Sequence, residues 1–151
     1  MRYCHSPLCR SLEVVVLFLI GSVGYYGIEV LWRGHSHWSM ALVGGICFLL
    51  IGGLNERYFQ WNMCLFFQSL VGAVCVTLVE LLAGLILNVW LDLGIWDYSN
   101  LPLQLWGQIS RLFTIFWIPL SMLGIVLDDW IRYYFFGEER PFYHLFRQRS
   151  K

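Results

Sequence analysis

The most informative residues of this sequence are ionisable side chains that stand inside apolar runs. Glu29, Glu80 and Arg111 each lie in a stretch long enough to cross a bilayer as a helix. An ionisable residue at the middle of such a helix costs about 2.5–3.5 kcal/mol on insertion scales, so each is a candidate for a function. Glu80 lies near the middle of its run, with no basic residue three or four positions away. We expect it to be protonated or to have a partner on another helix.

The other polar residues of these runs suggest partners for the two glutamates. Arg33 follows Glu29 by one helical turn, which favours an ion pair at the membrane interface. Asn88 follows Glu80 by about two turns, on the same helix face. Arg111 is the one basic residue inside an apolar run, so we predict that it pairs with Glu80 or Glu29. Such a group could be a lock that fixes helix register, or a site that handles a solute or a proton.

The composition predicts a small integral membrane protein. Hydrophobic residues make up 58% of the chain and charged residues only 13%. A typical soluble domain has about 45–50% apolar residues and about 25% charged residues. This balance excludes an ordinary soluble globule and also a disordered chain, which is poor in apolar residues. Ten basic residues cancel ten acidic ones, so there is no cationic excess for binding nucleic acid. The expected surroundings are a lipid bilayer.

Four apolar runs predict an all-helical architecture with four transmembrane helices, since a helix crosses the hydrocarbon layer in about 20 residues. The predicted spans are about 12–32, 38–54, 63–91 and 105–127. The second is short but free of charge, and the third is long enough to tilt. Residues 1–128 would then form a transmembrane domain, and residues 129–151 a cytoplasmic tail with an interfacial aromatic and basic helix.

The distribution of basic residues predicts the orientation of these spans. With both termini in the cytoplasm, only Arg33 and Arg111 lie on or near the outer side. The loop 92–104 has no basic residue, as expected of an exported loop. The predicted location is therefore the plasma membrane, with these basic residues inside: Arg2, Arg10, Arg57, Arg132, Arg140, Arg147, Arg149 and Lys151.

Glycines in the first two spans predict close helix packing. Gly21, Gly24 and Gly27 recur at spacings of three, and Gly45 and Gly52 stand seven apart. Small residues let transmembrane helices approach each other, because lipid supplies no hydrophobic drive between them. Packing within one chain is the simpler interpretation, and a homo-oligomer interface is the alternative.

No motif predicts catalysis, a metal or a cofactor. The sequence has no nucleophile elbow, no HExxH and no Walker loop. We therefore expect no enzyme activity, and any ATP that drives this protein must be hydrolysed by another chain. His35 and His37 have no firm third metal ligand near them in sequence.

The segment between the third and fourth predicted spans contains a distinctive polar and aromatic pattern. Tryptophan and tyrosine rings favour the headgroup layer, and aspartate, serine and proline favour turns. We predict an ordered interfacial loop or a partial re-entrant hairpin on the outer face. A binding lip for a solute or partner is the alternative. The pattern consists of Trp96, Asp97, Tyr98, Ser99, Pro102 and Gly107.

This W-D-Y-S-x-x-P run, followed by Gly107 and Ile109, resembles the family of small bacterial membrane proteins called putative ABC-transporter permeases (type IV, CmpB-like). Glu29 and the Glu80-Leu81 pair add to the resemblance, and Gln104 stands where the family tends to have asparagine. The resemblance implies a multi-pass inner-membrane protein that acts as a permease-like subunit or accessory of a transport system, with a separate ATPase as partner. It implies no catalytic or binding residues. A structural or regulatory membrane protein without transport activity is the alternative.

The last residues of the chain combine aromatic and basic side chains. Arg140, Arg147, Arg149 and Lys151 follow or interrupt an aromatic segment. Such a segment is expected to lie at the interface, where each cation gains about 1 kcal/mol from anionic headgroups. A topology anchor is the simpler interpretation, and a docking site for a cytoplasmic ATPase is the alternative.

Overall fold

The computed structural model describes residues 7–55 and 63–144, and these form helices joined by a structured loop. Two π-helical segments directly continue α3 and α4, over Leu85–Trp90 and Arg132–Phe136. The loop before α4 contains a pair of two-residue antiparallel strands, in which Gln104 lies opposite Ser110. The elements in chain order are α1 (Pro7–Arg33), α2 (Trp38–Gly53), α3 (Leu65–Gly84), β1 (Gln104–Leu105), β2 (Ile109–Ser110) and α4 (Arg111–Ile131).

Three helices in the described part of the chain are long and apolar enough to cross a membrane, namely Pro7–Arg33, Leu65–Trp90 and Arg111–Phe136. The apolar helix α2 has only 16 residues and falls short of that length. The predicted helical membrane class is therefore confirmed, whereas the predicted count of four spans is too high by this criterion. Large apolar side chains cover the outside of the bundle, as lipid contact requires, and Leu31 and Leu123 are 90% and 67% exposed.

Glycine allows α1 and α2 to pack closely. A Cβ atom at Gly21 would overlap the Phe48 side chain, and one at Gly44 would overlap Tyr25. These are the close backbone approaches that small residues permit between membrane helices. The predicted packing within one chain is confirmed at Gly21, whereas a Cβ at Gly24 or Gly27 would meet no atom within 4 Å.

The helices pack as two pairs. The most extensive interfaces are those of α1 with α2 and of α3 with α4, and α2 also contacts both members of the second pair. Helix α1 therefore lies against α2 and leaves a cleft between itself and α4.

Helix α4, which corresponds to the fourth predicted span, differs at both ends from the predicted bounds of 105–127. Helix α4 begins only at Arg111, because residues before it form the strand pair and Ser110 caps the helix by accepting a hydrogen bond from the Phe113 amide. At the other end the helix continues through Asp128 and Asp129 into its π-helical extension, because both carboxylates are buried and hydrogen-bonded. Gly137, at φ 70°, follows the last helical residue.

Of the predicted tail 129–151, residues 129–136 are helical as the end of α4 and its π-helical extension, and their interfacial position stays a prediction. Residues 137–144 contain no helical residue. The basic residues Arg147, Arg149 and Lys151 lie outside the described residues, as do Arg2 and Arg57.

Candidate functional site

Glu80 is a buried carboxyl group held by two aromatic side chains. It is only 5% exposed, although it lies near the middle of the apolar helical stretch Leu65–Trp90 that α3 and its π-helical extension form. The Tyr98 hydroxyl donates a hydrogen bond to Oε1 over 3.0 Å, and the Trp117 indole Nε1 donates to Oε2 over 2.9 Å. Each carboxylate oxygen thus has one neutral donor, and the partner from another helix that the sequence predicted is Trp117 of α4.

The prediction that Arg111 pairs with Glu80 or Glu29 was wrong. Arg111 is the first residue of α4, whereas Trp117 faces Glu80 and lies about 9 Å further along the helix axis. The Arg111 side chain is exposed beside the loop, and its backbone amide donates to the Leu103 carbonyl over 3.1 Å. Within residues 7–55 and 63–144 it forms no ion pair.

Glu29 instead pairs with Arg33, as the one-turn spacing predicted. Arg33 Nη1 lies 3.2 Å from Glu29 Oε1, and the Ser36 hydroxyl donates to Oε2 over 2.5 Å. Arg33 also donates from Nη2 to the Ile95 carbonyl over 2.8 Å. Because Ile95 belongs to the segment before the strand pair, this arginine ties the end of α1 to the loop.

Asn88 anchors the same loop. Its amide Nδ2 donates to the Trp96 carbonyl over 3.0 Å and to Gln108 Oε1 over 2.9 Å, while its Oδ1 accepts from the Ile95 amide over 2.7 Å. Asn88 and Glu80 therefore bind different parts of one loop.

The aromatic residues of the loop differ in exposure. Trp96 is 4% exposed and donates from Nε1 to the Gln108 carbonyl over 3.0 Å, so its ring is buried within the protein. Trp106 is 68% exposed and suits an interfacial position. The Tyr98 ring stacks on Phe113 of α4 with 4.6 Å between centroids. Burial, followed by the charge of Glu80, raises the pKa of Tyr98, so its hydroxyl remains a donor.

The turn predicted at Asp97 and Ser99 is confirmed. Asp97 Oδ1 accepts hydrogen bonds from the Ser99 amide over 2.8 Å and from its hydroxyl over 2.5 Å. The hydroxyl hydrogen bond is the main cause of a lowered Asp97 pKa. Gly107 has a φ of 69°, and a Cβ there would lie 2.7 Å from both Asp97 Oδ1 and Ser99 Oγ. Glycine is therefore required at this position for both its backbone angle and its lack of a side chain.

Pro102 completes the pattern on the exposed side of the loop. It precedes Leu103, which has a φ of 53°, in a turn that leads into β1. The Gln104 side chain then accepts a hydrogen bond from the Gly107 amide over 2.6 Å, closing the strand pair. The predicted ordered loop is thus confirmed by its internal hydrogen bonds.

A second polar cluster lies at the opposite end of α4, around Arg132. Its Nε donates to Asp128 Oδ2 over 2.6 Å, and its Nη1 forms an ion pair with Glu13 of α1. Nη1 also lies 3.7 Å from Glu138 Oε1. Glu13, Asp128 and Arg132 are all less than one-tenth exposed. The cluster therefore joins the beginning of α1 to the end of α4.

Asp129 extends this cluster to α2 and to the segment after α4. Its Oδ2 accepts from Asn55 Nδ2 over 2.7 Å and from the Tyr143 hydroxyl over 2.8 Å. Burial, followed by the charge of Asp129, raises the pKa of Tyr143, which keeps its hydroxyl protonated as a donor.

The cleft between α1 and α4 contains a cavity of about 260 Å³. Gly24 of α1, Cys47 of α2 and Gly124 of α4 contribute to its apolar walls. Of the described residues that line it, Glu80 is the one acidic or basic residue among Asp, Glu, Lys and Arg. Its hydrogen-bond partner Trp117 lines the cavity as well. The carboxyl group thus lies on the wall of an apolar space, which would suit a ligand with an apolar body.

A family model described as Putative ABC-transporter type IV matches residues 16–135. The chain belongs to this family. The match takes in Glu29, Glu80, the whole loop and Asp128, and it confirms the resemblance that the loop pattern indicated. No curated protein and no solved structure matches the chain.

In this member of the Putative ABC-transporter type IV family, sequence reasoning missed several residues that the fold brings together. Trp117 and Tyr25 line the cavity, but they stand in apolar runs rich in aromatic residues, and no motif distinguishes them there. The Asp128–Arg132 pair had a readable signal, since opposite charges four residues apart on a helix commonly interact.

His37 in the first loop serves a local structural role. His37 precedes α2, and its ring nitrogen Nδ1 accepts a hydrogen bond from the Ser39 amide, which caps the helix. Across the described ranges, no group of three or more metal-ligating side chains converges.

Proposed function

We propose that this chain is the membrane-embedded, permease-like subunit or accessory of a bacterial transport system, with α2 crossing the membrane as a fourth span. The observation that carries the proposal is the apolar cavity between α1 and α4, with the buried Glu80 carboxyl on its wall. Membership of the Putative ABC-transporter type IV family supports it. Permeases need a path or binding space inside the bilayer, and this cavity offers one.

The energy would come from a separate ATPase chain in the cytoplasm. Both termini would lie on the cytoplasmic side of the inner membrane, where the basic end of the chain would meet that subunit. The support is the positive-inside distribution of arginine and lysine. Four helices enclose too little space for a complete solute path, so we also expect assembly with another copy of the chain or with another subunit.

Co-purification of the ATPase tests this proposal. The chain, tagged and expressed in its own host, would be extracted in a mild detergent and its partners identified by mass spectrometry. We expect a nucleotide-binding subunit, and its loss when Arg147, Arg149 and Lys151 are together replaced by glutamine. The control is Arg111→Gln, which removes an exposed basic side chain at the opposite end of the bundle. Failure to recover any nucleotide-binding subunit would favour a transport-independent role.

Reporter fusions test the four-span topology. Alkaline phosphatase is active only outside the cytoplasm, and green fluorescent protein is fluorescent only when it folds inside. If α2 spans the membrane, a phosphatase fused after residue 35 will be active and a fluorescent protein fused after residue 57 will be bright. The same result is expected for phosphatase after residue 100 and fluorescent protein after residue 151. Two fusions around α2 that report the same side would contradict the fourth span.

A structural or regulatory protein without transport activity is the second candidate. The observation that favours it is the Arg132 cluster, in which buried hydrogen bonds and an ion pair join α1, Asn55 just after α2, and the end of α4. In that case Glu80 would only hold α3, α4 and the loop together. Unchanged transport in a Glu80→Gln protein would favour this candidate. We propose no enzyme activity in either case.

A further inference from the structure

The hydrogen bonds of Glu80 supply no counter-charge to its carboxyl group. Its two donors, Tyr98 and Trp117, are neutral, and in the described part of the chain no arginine or lysine forms an ion pair with it. An ionised carboxylate offers about four acceptor positions, two on each oxygen. One donor on each oxygen therefore leaves further acceptor capacity. Because Glu80 lines the cavity, a ligand in this space would meet the carboxyl group.

Two aromatic side chains line the cavity together with Glu80. The rings of Tyr25 on α1 and Trp117 on α4 lie 6.0 Å apart between centroids, with 36° between their planes. A cation within about 6 Å of such a ring face is attracted to it, most strongly for tryptophan. The carboxylate and the two rings would attract the same kind of ligand, one that carries a positive charge.

The rest of the cavity suits an apolar body. Ile28 on α1 and Leu123 and Leu127 on α4 line it and are 46%, 67% and 50% exposed. The cavity thus opens sideways between two apolar helix surfaces. On the α1 side, a Cβ at Gly24 would meet no atom within 4 Å, so the space extends to the helix backbone. A ligand could enter from the hydrocarbon layer without crossing a polar surface.

We propose that this cavity binds lipophilic organic cations, with Glu80 as the counter-charge and Tyr25 and Trp117 as the aromatic contacts. The proposal deepens the proposed function by naming a substrate class, and it rests on that function for transport. Binding itself needs no ATPase. A protein that recovers its ATPase but binds no cation would overturn only this inference.

Binding of tetraphenylphosphonium to the purified full-length chain in detergent tests the inference. Isothermal titration calorimetry should show binding that weakens at least tenfold in Glu80→Gln. The control, Glu139→Gln, removes the same charge at an exposed position after α4 and should bind as the unchanged protein does. Equal affinity of the Glu80→Gln and unchanged proteins would overturn the proposal.

A neutral ligand of similar shape, triphenylphosphine oxide, should bind at least tenfold more weakly than the cation. Equal binding of the two would show that the cavity selects apolar bodies, such as lipid chains, without regard to charge.

A pair of glycine variants keeps the test valid if Glu80→Gln does not fold. Neither Gly24 nor Gly27 has an atom within 4 Å of its Cβ position, but only Gly24 lines the cavity. Gly24→Leu should fill the space and weaken tetraphenylphosphonium binding at least tenfold, whereas Gly27→Leu should leave it unchanged. Equal binding by both leucine variants would place the ligand elsewhere and overturn the proposal.

Discussion

The Trp117 indole on α4 donates a hydrogen bond to the Glu80 carboxylate on α3 over 2.9 Å, at a position where both side chains are less than one-tenth exposed. This bond joins the two helices that hold the loop between them. It also explains how a carboxyl group can lie in the middle of an apolar helix, since a buried polar group costs little only when it is hydrogen-bonded. The pair is thus the structural centre of the candidate site.

Trp117→Phe should destabilise the protein by about 1–3 kcal/mol, because it leaves a buried carboxylate oxygen without its donor. The measurement is the free energy of unfolding in mixed micelles. Trp106→Phe makes the same chemical change at a residue that is 68% exposed and should have little effect. Similar stability losses in the two variants would contradict a specific role for the indole hydrogen bond.

The sequence could identify Glu80 but not its partners. Depth along the apolar run and the absence of a base one turn away predicted a buried carboxyl with a partner on another helix, and Trp117 fits that expectation. The choice of Arg111 was wrong because the rotation and vertical offset of α4 against α3 depend on side-chain packing across the whole interface. Pairing opposite charges along the sequence cannot predict how far α4 is rotated and shifted against α3.

The Arg132 cluster was missed for a different reason. Asp128 and Asp129 were expected to end the fourth span, because charges commonly mark the edge of the hydrocarbon layer. In the structure both are buried: Asp129 bonds to partners distant in sequence, above all Asn55 just after α2, and Asp128 pairs with Arg132. Only the Asp128–Arg132 spacing was local enough to be read from the chain.

Gly107→Ala should destabilise the loop through both its backbone and its new methyl group. The φ of 69° is unfavourable for alanine, and the Cβ would lie 2.7 Å from Asp97 Oδ1. Hydrogen exchange at the Tyr98 amide, which donates to the Gly107 carbonyl, should become faster. Gly94→Ala separates the two effects, since Gly94 has a φ of 56° and no atom within 4 Å of its Cβ position. Gly94→Ala should therefore accelerate exchange at the Tyr98 amide less than Gly107→Ala does. An equal or larger acceleration in Gly94→Ala would contradict a role for the contact between the Gly107 position and Asp97.

The Asp97 turn should weaken at acid pH. The Ser99 hydroxyl bond lowers the Asp97 pKa below its ordinary value of 3.8. The folded turn therefore gains stability above that ordinary value, and loses it as the pH falls through the lower pKa of the folded state. Hydrogen exchange at the Ser99 amide, corrected for its intrinsic pH dependence, should show reduced protection only in that acid range. Ser99→Ala should raise the pKa of Asp97 and move the loss to higher pH. An unchanged midpoint in Ser99→Ala would contradict the role of the hydroxyl.

Arg132→Met should be the most destabilising of these substitutions. It leaves the buried carboxylates of Asp128 and Glu13 without their cation, and breaking a buried ion pair in this way costs about 3–5 kcal/mol. Arg140→Met removes a cation from an exposed position and should change stability little. Adding Glu13→Gln to Arg132→Met should recover part of the loss, because the amide no longer requires a counter-charge.

Arg132→Met, Glu13→Gln and the double variant form a thermodynamic cycle that isolates the contact between α1 and the extension of α4. A coupling of about 0.5–3 kcal/mol is expected for residues in direct contact. Because this ion pair joins the two helices that border the cavity, its loss should also let them separate, and a spin label on Ile28 should then lie further from one on Leu123. Additive stability losses with an unchanged label distance would show that Glu13 and Arg132 do not hold the cleft together.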